Sequence, residues 1–563
     1  MRGSEPRRGS HLARWGACAL LLVALAARAG ELHVFSYHDV RERVAGNLDP
    51  DQFAVSTDHL VAHLEWLRAH DYRPVGIDDV IAARRGLRPL PERAVLLTFD
   101  DGYASVYHRV FPLLALYGYP AVVALVTSWM EAAPGTTVRY GDEEVPRERF
   151  LSWAQVREMQ ASGLVEIASH SHDLHRGVLA NPQGNEMPAA TTARLDPATA
   201  RYETTPAYLA RIRDDLARSR AIIARETGRA PRVMVWPFGE HNAAVATIAR
   251  ELGMPWTLTL SVDAARATAL DRLPRRLLVG NPGTGALIEE LSPAYVTRRS
   301  LRTVRVSLDA VYDPDPAREA ERLDRLLDQV AALAPTTVLL DAHAAPASGA
   351  PVAAVYFPSR ALALRRDLLS RVAWQLRTRT GVEAWAVLPS DGYPPGVDLP
   401  ALVEDLARHA FVDGMAFAVD AGARGSEVPV SRLVEALRRH RPLAGSGLVV
   451  DVAALDLLPA TGESAAVDRV IVTGVPADLD AAATGRLARR LGGLRSPVTR
   501  VVAEVVGLAE RDDDGAALVR TLERLRLGGA RHLGLRLDRP AAEWPAVATL
   551  RPALSAASHP YPR

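Results

Sequence analysis

The sequence predicts an α/β protein of two successive parallel βα domains, the first an open or irregularly closed sheet, the second a (β/α)8 barrel. Three observations carry this reading. At 563 residues the chain exceeds what one hydrophobic core usually organises. Short β-rich runs alternate with helical patterns along nearly all of it, and alternating βα units build parallel sheets. The alternation breaks at Asn281-Pro-Gly-Thr-Gly285, a linker signal, and resumes near Leu301. Apolar residues make up 48% and charged residues 24%, ordinary for a globular chain, and a formal net charge of +1 gives no case for nucleic acid or an anionic membrane as partner. Every fixed cation is an arginine, for the chain contains no lysine.

Residues 1–29 read as a signal peptide. Arg2, Arg7, Arg8 and Arg14 precede the apolar run Ala17–Ala26, and Ala27-Arg-Ala29 supplies the small-x-small cleavage pattern, so the mature chain is expected in the periplasm or secreted. The run is too short for a comfortable membrane span. Cys18 lies within it and is the only cysteine; Gly16-Ala-Cys18 weakly matches a lipoprotein cleavage box, which makes an outer-membrane lipoprotein the competing reading. Once Cys18 is removed, the mature chain can form no disulfide.

Residues 30–285 form the first domain. Its expected strands are Leu32–Ser36, Ala94–Phe99, Ala121–Thr127, Leu164–Ser169, Arg232–Trp236, Trp256–Leu260 and Arg276–Val279, with helices between them signalled by Leu60, Leu64, Leu67 and by Ile212, Leu216, Ile222. Gly177–Thr205, rich in Pro, Gly, Ala, Thr and Asn, reads as a long surface insertion. Residues 286–563 form the second domain, with strands Leu301–Leu308, Thr337–His343, Val382–Pro389, Asp413–Asp420, Gly447–Val452, Asp468–Thr473, Arg500–Val506 and Arg531–Leu537.

Polar groups gather where the first domain's strands stop, which is where α/β folds bind ligands. The run Ala94–Phe99 ends in Asp100-Asp101-Gly102-Tyr103, and Leu164–Ser169 ends in His170-Ser-His-Asp-Leu-His175. A carboxylate and two imidazoles are a common ligand set for a catalytic divalent metal, so Asp101, His170 and His175 are candidate ligands. Asp100 is then free to act as a base towards water, and His38, after the first strand, is the candidate general acid. Backbone N–H groups of Gly102 or Tyr103 are candidates for holding an oxyanion. Trp236, Pro237 and Phe238, at the end of Arg232–Trp236, are expected to wall the site against a sugar face or an acetyl methyl. His172 and Asp173 are expected to face solvent or support the ligands.

Thr98-Phe-Asp-Asp-Gly-Tyr103, Ser169-His-Ser-His-Asp-Leu-His175 and Trp236-Pro-Phe-Gly239 resemble the polysaccharide deacetylases of carbohydrate esterase family 4, which carry a NodB-homology domain. The resemblance implies an irregular (β/α)7 NodB-type barrel, Asp100 as base, and Asp101, His170 and His175 as ligands of a divalent metal, Zn²⁺ first, with Co²⁺, Ni²⁺ or Fe²⁺ also accommodated by such a donor set. Two departures stand out. The histidines are five apart where the family usually spaces them by four, and Tyr37-His38-Asp39 lies at the domain's start where most members place the acid histidine near its end. Both departures are similar to one circularly permuted bacterial branch, the N-deacetylases of exported poly-β-1,6-N-acetyl-D-glucosamine. That branch adds a glycoside-hydrolase-like, TIM-like (β/α)8 barrel, which Leu308-Asp-Ala-Val-Tyr-Asp-Pro-Asp-Pro316, Val355-Tyr-Phe-Pro-Ser359 and Arg371-Val-Ala-Trp-Gln-Leu-Arg377 resemble.

The resemblance implies an N-acetylglucosamine polymer as substrate, a role in biofilm matrix export, and an outer-membrane export porin as partner. Rival readings are a deacetylase of chitin oligomers or peptidoglycan, and a non-catalytic polysaccharide-binding escort. The family's arginine ahead of the Pro-aromatic motif has no counterpart beside Trp236, which leaves open what orients Asp100. In the second barrel, Phe417-Ala-Val-Asp-Ala421 keeps one member, Asp420, of the family's acidic pair, and later strand ends lose acidic and aromatic residues. A glycosidase needs two carboxylates flanking the bond, for which Asp309 and Asp420 are the candidates. The thinning of the site makes a barrel that has lost hydrolysis the expectation.

Overall fold

The computed structural model describes residues 31–46, 49–141, 143–260, 272–291, 300–348, 350–419, 428–442, 444–457, 467–493, 500–506, 515–537 and 539–556. The leader and Cys18 therefore lie outside the described residues, as does Asp420. Among the described residues, no helix is long and apolar enough to cross a membrane.

Seven strands close the first barrel: β1 (Glu31–Tyr37), β2 (Arg93–Phe99), β3 (Ala121–Leu125), β4 (Val165–Ser169), β5 (Val233–Val235), β6 (Trp256–Leu260) and β7 (Arg272–Leu277). They pair in parallel in chain order, and β7 returns to β1. Helices such as α1 (Thr57–Ala69) and α2 (Thr205–Thr227) cover the outside, so both faces of the strands are buried and their sequences read as continuous apolar runs. Alternation still sorts the two faces. Leu32, Val34, Ala94, Leu96, Val122, Ala124, Ala168, Val233, Val235, Leu258 and Leu273 come from all seven strands and make the barrel interior. Phe35, Tyr37, Val95, Leu97, Phe99, Val123 and Ile167 point outward onto Leu60, Leu64 and Leu67 of α1 and onto the other helices.

Following that two-residue period to the C-terminal mouth places Ser36, His38, Thr98, Asp100, His170 and Arg275 on the interior face. Arg275 was hidden from the sequence reading, which began the last strand at Arg276. The strand runs from Arg272 to Leu277, and its arginines break the apolar pattern by which a barrel strand is recognised.

The second barrel is a closed parallel ring of eight strands: β8 (Arg302–Ser307), β9 (Thr337–Asp341), β10 (Glu383–Pro389), β11 (Gly414–Val419), β12 (Gly445–Asp451), β13 (Arg469–Pro476), β14 (Arg500–Val506) and β15 (His532–Leu537). Its interior includes Leu339, Trp385, Val387, Ala416, Val449, Ile471 and Val502. Trp385 fills the lumen because its neighbours lack side chains: a Cβ at Gly414 or Gly445 would come within 2.4 Å of the indole. The Arg469 guanidinium covers the same ring at 3.9 Å.

The expected linker is firmly held. The Asn281 and Pro282 carbonyls meet His59 Nδ1 (3.0 Å) and His63 Nε2 (2.9 Å) of α1. Helix α3 (Thr284–Leu291) then buries Leu287 and Leu291 in the first barrel's outer core, so that barrel's packing continues past residue 285. The Gly177–Thr205 insertion is likewise not a free surface loop. It contains two short antiparallel ribbons, Gly177–Leu179 with Glu186–Pro188 and Leu195–Asp196 with Arg201–Tyr202, buries Ala189 and Ala190, and docks on the second barrel. Gln183 Nε2 donates to the Asp367 carbonyl (2.9 Å) and Tyr202 Oη to Asp367 Oδ2 (3.1 Å).

Burial pushes the Asp367 carboxyl up to about 6, against the opposing pull of the Tyr202 hydroxyl. A carboxyl whose folded pKa exceeds its unfolded value costs stability once it ionises; the cost is absent below about pH 4 and complete above about pH 6. Asp367→Asn is therefore expected to raise the melting temperature at pH 7 and to leave it unchanged near pH 4. Thermal melts across this range check the sign.

Candidate active site and metal centre

The parallel register delivers the site. Tyr37 of β1 pairs with Phe99 of β2, so the next residues, His38 and Asp100, emerge side by side. Leu125 of β3 pairs with Ser169 of β4, and Met234 of β5 pairs with the same serine, which brings His170 and the Trp236–Glu240 loop to the same rim. Strained backbone clusters there: Asp101 (φ 69°), Ser171 (φ 75°) and Phe238 (φ 57°) all adopt left-handed conformations rare for residues with side chains.

Asp101 is wholly buried, and its Oδ1 lies 3.4 Å from His170 Nε2 and 3.2 Å from His175 Nε2. Tyr140, on the hairpin of Thr137–Tyr140 and Glu143–Pro146, donates to the other oxygen, Oδ2, at 3.0 Å. The Val235 carbonyl sits 2.7 Å from His170 Nδ1, so Nδ1 carries the proton and donates it, leaving the Nε2 lone pair facing Asp101. His175 is packed among Trp129, Tyr140 and Phe238, with ring centroids 5.1, 6.1 and 4.6 Å away. Burial opposes charge on Asp101, but the charge on the neighbouring His175 imidazole outweighs it and holds the carboxyl well below its ordinary range.

One ligand atom from each of Asp101, His170 and His175 lies within 4.8 Å of the others. Asp101 Oδ1, buried between two imidazole nitrogens, accepts no hydrogen bond among the described residues. An anionic oxygen and two imidazole nitrogens converging on one point fit a divalent cation, whose charge would satisfy the orphaned oxygen.

Asp100 is held differently. Arg275, 1% exposed, donates from Nη1 to Asp100 Oδ1 at 2.6 Å, and also to Thr98 Oγ1 (3.0 Å) and Ser36 Oγ (3.1 Å). This guanidinium orients the carboxylate; it comes from β7 and not from the neighbourhood of Trp236. Burial works against charge on Asp100, but Arg275, then the imidazoles of His170 and His38, keep its pKa below the ordinary value. His38 Nε2 stands 4.0 Å from Asp100 Oδ2, and Phe53 covers its ring at 5.2 Å. Burial draws the His38 pKa below its usual value, against the carboxylates of Asp101 and Asp100. Asp215 of α2, which no local sequence pattern marks, accepts from the backbone N–H groups of His172 (2.8 Å) and Asp173 (2.7 Å) and so fastens the loop between the two histidines. His172 Nδ1 in turn meets Thr127 Oγ1 at 3.0 Å.

The aromatic expectations divide. Phe238, 46% exposed, lies against His175 and opens to solvent. Trp236 does not: it is completely buried in the core with Ile212, Leu216 and Ile248, and Pro237 is buried beside it, because Trp236 falls on the outward-facing parity of β5. The Tyr103 side chain is also buried, stacked on Phe150 at 5.3 Å with the Arg149 guanidinium over it.

In the second barrel, Asp309 is taken up by local fastening. Its Oδ1 accepts from Tyr356 Oη (2.5 Å) and Arg365 (2.9 Å), and its Oδ2 from the Ala345 N–H (2.7 Å). Interior acids near the same mouth are also engaged. Arg305 grips Asp341 Oδ1 from Nε (2.9 Å) and Nη2 (2.7 Å) and lies 3.7 Å from Glu504, which accepts from Thr473 at 2.6 Å.

A seven-stranded barrel whose mouth gathers such a triad beside an arginine-held aspartate is the architecture of a polysaccharide deacetylase. The family model for polysaccharide deacetylases matches residues 88–256, so the first barrel carries a domain of that family. Within it, the chain is similar to the poly-β-1,6-N-acetyl-D-glucosamine N-deacetylase of Escherichia coli strain K12, with 39% identity over 357 residues, 63% of this chain and 52% of that protein. The chain thus spans about half the length of that curated relative. Two solved structures are also similar: the deacetylase domain of BpsB from Bordetella bronchiseptica (50% identity, 44% of this chain and 95% of that one, TM-score 0.40) and a de-N-acetylase from Aggregatibacter actinomycetemcomitans (36% identity, 46% and 99%, TM-score 0.43). A model described as hypothetical glycosyl hydrolase family 13 matches residues 305–404 in the second barrel.

Proposed function

We propose that this protein is a divalent-metal-dependent N-deacetylase of poly-β-1,6-N-acetyl-D-glucosamine, acting during export of a biofilm polysaccharide. The observation that carries the reading is the convergence of Asp101, His170 and His175 beside Asp100, held by Arg275, and His38. A divalent ion held by that triad would supply the Lewis acidity that polarises an acetyl carbonyl and lowers the pKa of water. The chain's own residues handle the protons. Asp100, ionised and fixed by Arg275, takes the proton of the attacking water, and His38 gives one to the departing amine nitrogen. Phe238 offers an apolar face to the sugar. Zn²⁺ is the ion the donor set suits first, with Co²⁺, Ni²⁺ and Fe²⁺ as alternatives.

The polymer substrate is supported by the names of the relatives and by the early position of His38. Export through a signal peptide, residence in the periplasm and an outer-membrane porin partner belong to the same reading. The second barrel is assigned polymer support without hydrolysis, since Tyr356 and Arg365 engage Asp309 and Arg305 engages Asp341. Acetate release tests the whole. The metal-loaded protein is expected to release acetate from β-1,6-linked N-acetylglucosamine oligomers faster than from β-1,4-linked ones, and chelation is expected to abolish it. Equal rates on both linkages would favour the chitin or peptidoglycan reading, and binding without release the escort.

A further inference from the structure

The loop after β5 is held from two sides. On one side Phe238, left-handed at φ 57°, lies against His175. On the other, Glu240 reaches the second barrel, where Arg441, at the end of helix α4 (Val430–His440), donates from Nη1 to Glu240 Oε2 at 3.1 Å. Between them Gly239 adopts φ 72° against β6, where an added Cβ would stand 2.4 Å from the Leu260 nitrogen. Such conformations persist only where the surroundings over-determine them.

Arg441 is built to hold its position. It is 5% exposed, its Nε donates to the Ala407 carbonyl at 3.2 Å, and its guanidinium lies 4.3 Å from the Phe411 ring, which Arg377 also covers at 4.0 Å. A cavity of about 180 Å³ lies at this junction, lined by Glu240, Leu260, Phe411, Asp413 and Arg441 among others. The ion pair ties the loop to the second barrel beside this cavity.

We propose that Arg441 is a positioning residue for the deacetylase site: by fixing Glu240 it keeps Phe238 against His175, so the second barrel shapes the sugar wall of the first. Arg441 touches none of His38, Asp100, Asp101, His170 or His175; it acts through the loop. The proposal rests on the deacetylase reading above. Losing the wall removes binding shared by ground and transition states, which raises KM and leaves kcat unchanged.

The test compares the full-length parent with Arg441→Gln, Glu240→Gln, Phe238→Ala and the double variant Phe238→Ala/Arg441→Gln on a β-1,6-N-acetylglucosamine oligomer. Each single variant is expected to raise KM by about three- to tenfold, the scale of one aromatic contact, with kcat retained, and the double variant to be no worse than Phe238→Ala. A parental KM in Arg441→Gln, a loss of kcat alone, or effects that multiply in the double variant would overturn it. Should Arg441→Gln fail to fold by circular dichroism, Glu240→Gln carries the same expectations, and a parental KM there overturns the proposal equally. A parent that binds the oligomer by calorimetry yet releases no acetate refutes the deacetylase reading, and Kd then replaces KM in the comparison. A parent that neither binds nor releases removes both.

Discussion

Asp100→Asn is expected to slow acetate release by about 10²- to 10⁴-fold, the range a positioned general base contributes. The amide oxygen can still accept from Arg275, so the fold and the metal content are expected to stay at parental levels. Asp101→Asn separates the two adjacent aspartates: it removes the anionic oxygen that faces His170 and His175, so bound metal, measured by elemental analysis, falls together with activity. An Asp100→Asn protein that kept parental kcat would remove the base from the mechanism.

Arg275→Met has the second large effect. The substitution keeps much of the side chain's apolar length but leaves Asp100 buried without its cation, a change that costs about 3–5 kcal/mol. Urea unfolding measures the loss. The catalytic signature is in the pH profile. Arg275 helps hold the Asp100 pKa down, so its removal raises that pKa; the base accepts a proton only above its own pKa, so the acid limb of kcat/KM moves to higher pH. An unmoved limb would mean that the guanidinium serves stability alone.

The parts of the site that could be read in the sequence are those that interrupt an apolar run at its end. Asp100-Asp101 closes a Val/Leu strand and His170 another, so polarity and strand termination coincide, and a parallel sheet makes the termini meet. Arg275 obeys a different logic. It sits inside a strand, and one guanidinium among Arg272, Arg275 and Arg276 carries no local sign that it points into a barrel; only the closure of β7 onto β1 gives it Ser36, Thr98 and Asp100 as neighbours. Tyr140 and Asp215 reach the site from a hairpin and a helix, at sequence distances that no local pattern encodes. Trp236 failed for want of one residue of register: an aromatic at a strand end was legible, its parity was not. The eight strands of the second barrel were legible because each buried run recurs with an amphipathic helix between, whereas the engagement of Asp309 by Tyr356 and Arg365 depends on a loop folding back across the mouth.

The acid and the base's anchor come from opposite ends of the first domain. His38 follows the strand that opens the ring, and Arg275 lies on the strand that completes it, 237 residues later by their numbers. Six of the seven strands precede Arg275 in the chain, and until the last strand closes the ring Asp100 lacks its guanidinium partner. Competence for chemistry and completion of the ring therefore arrive together.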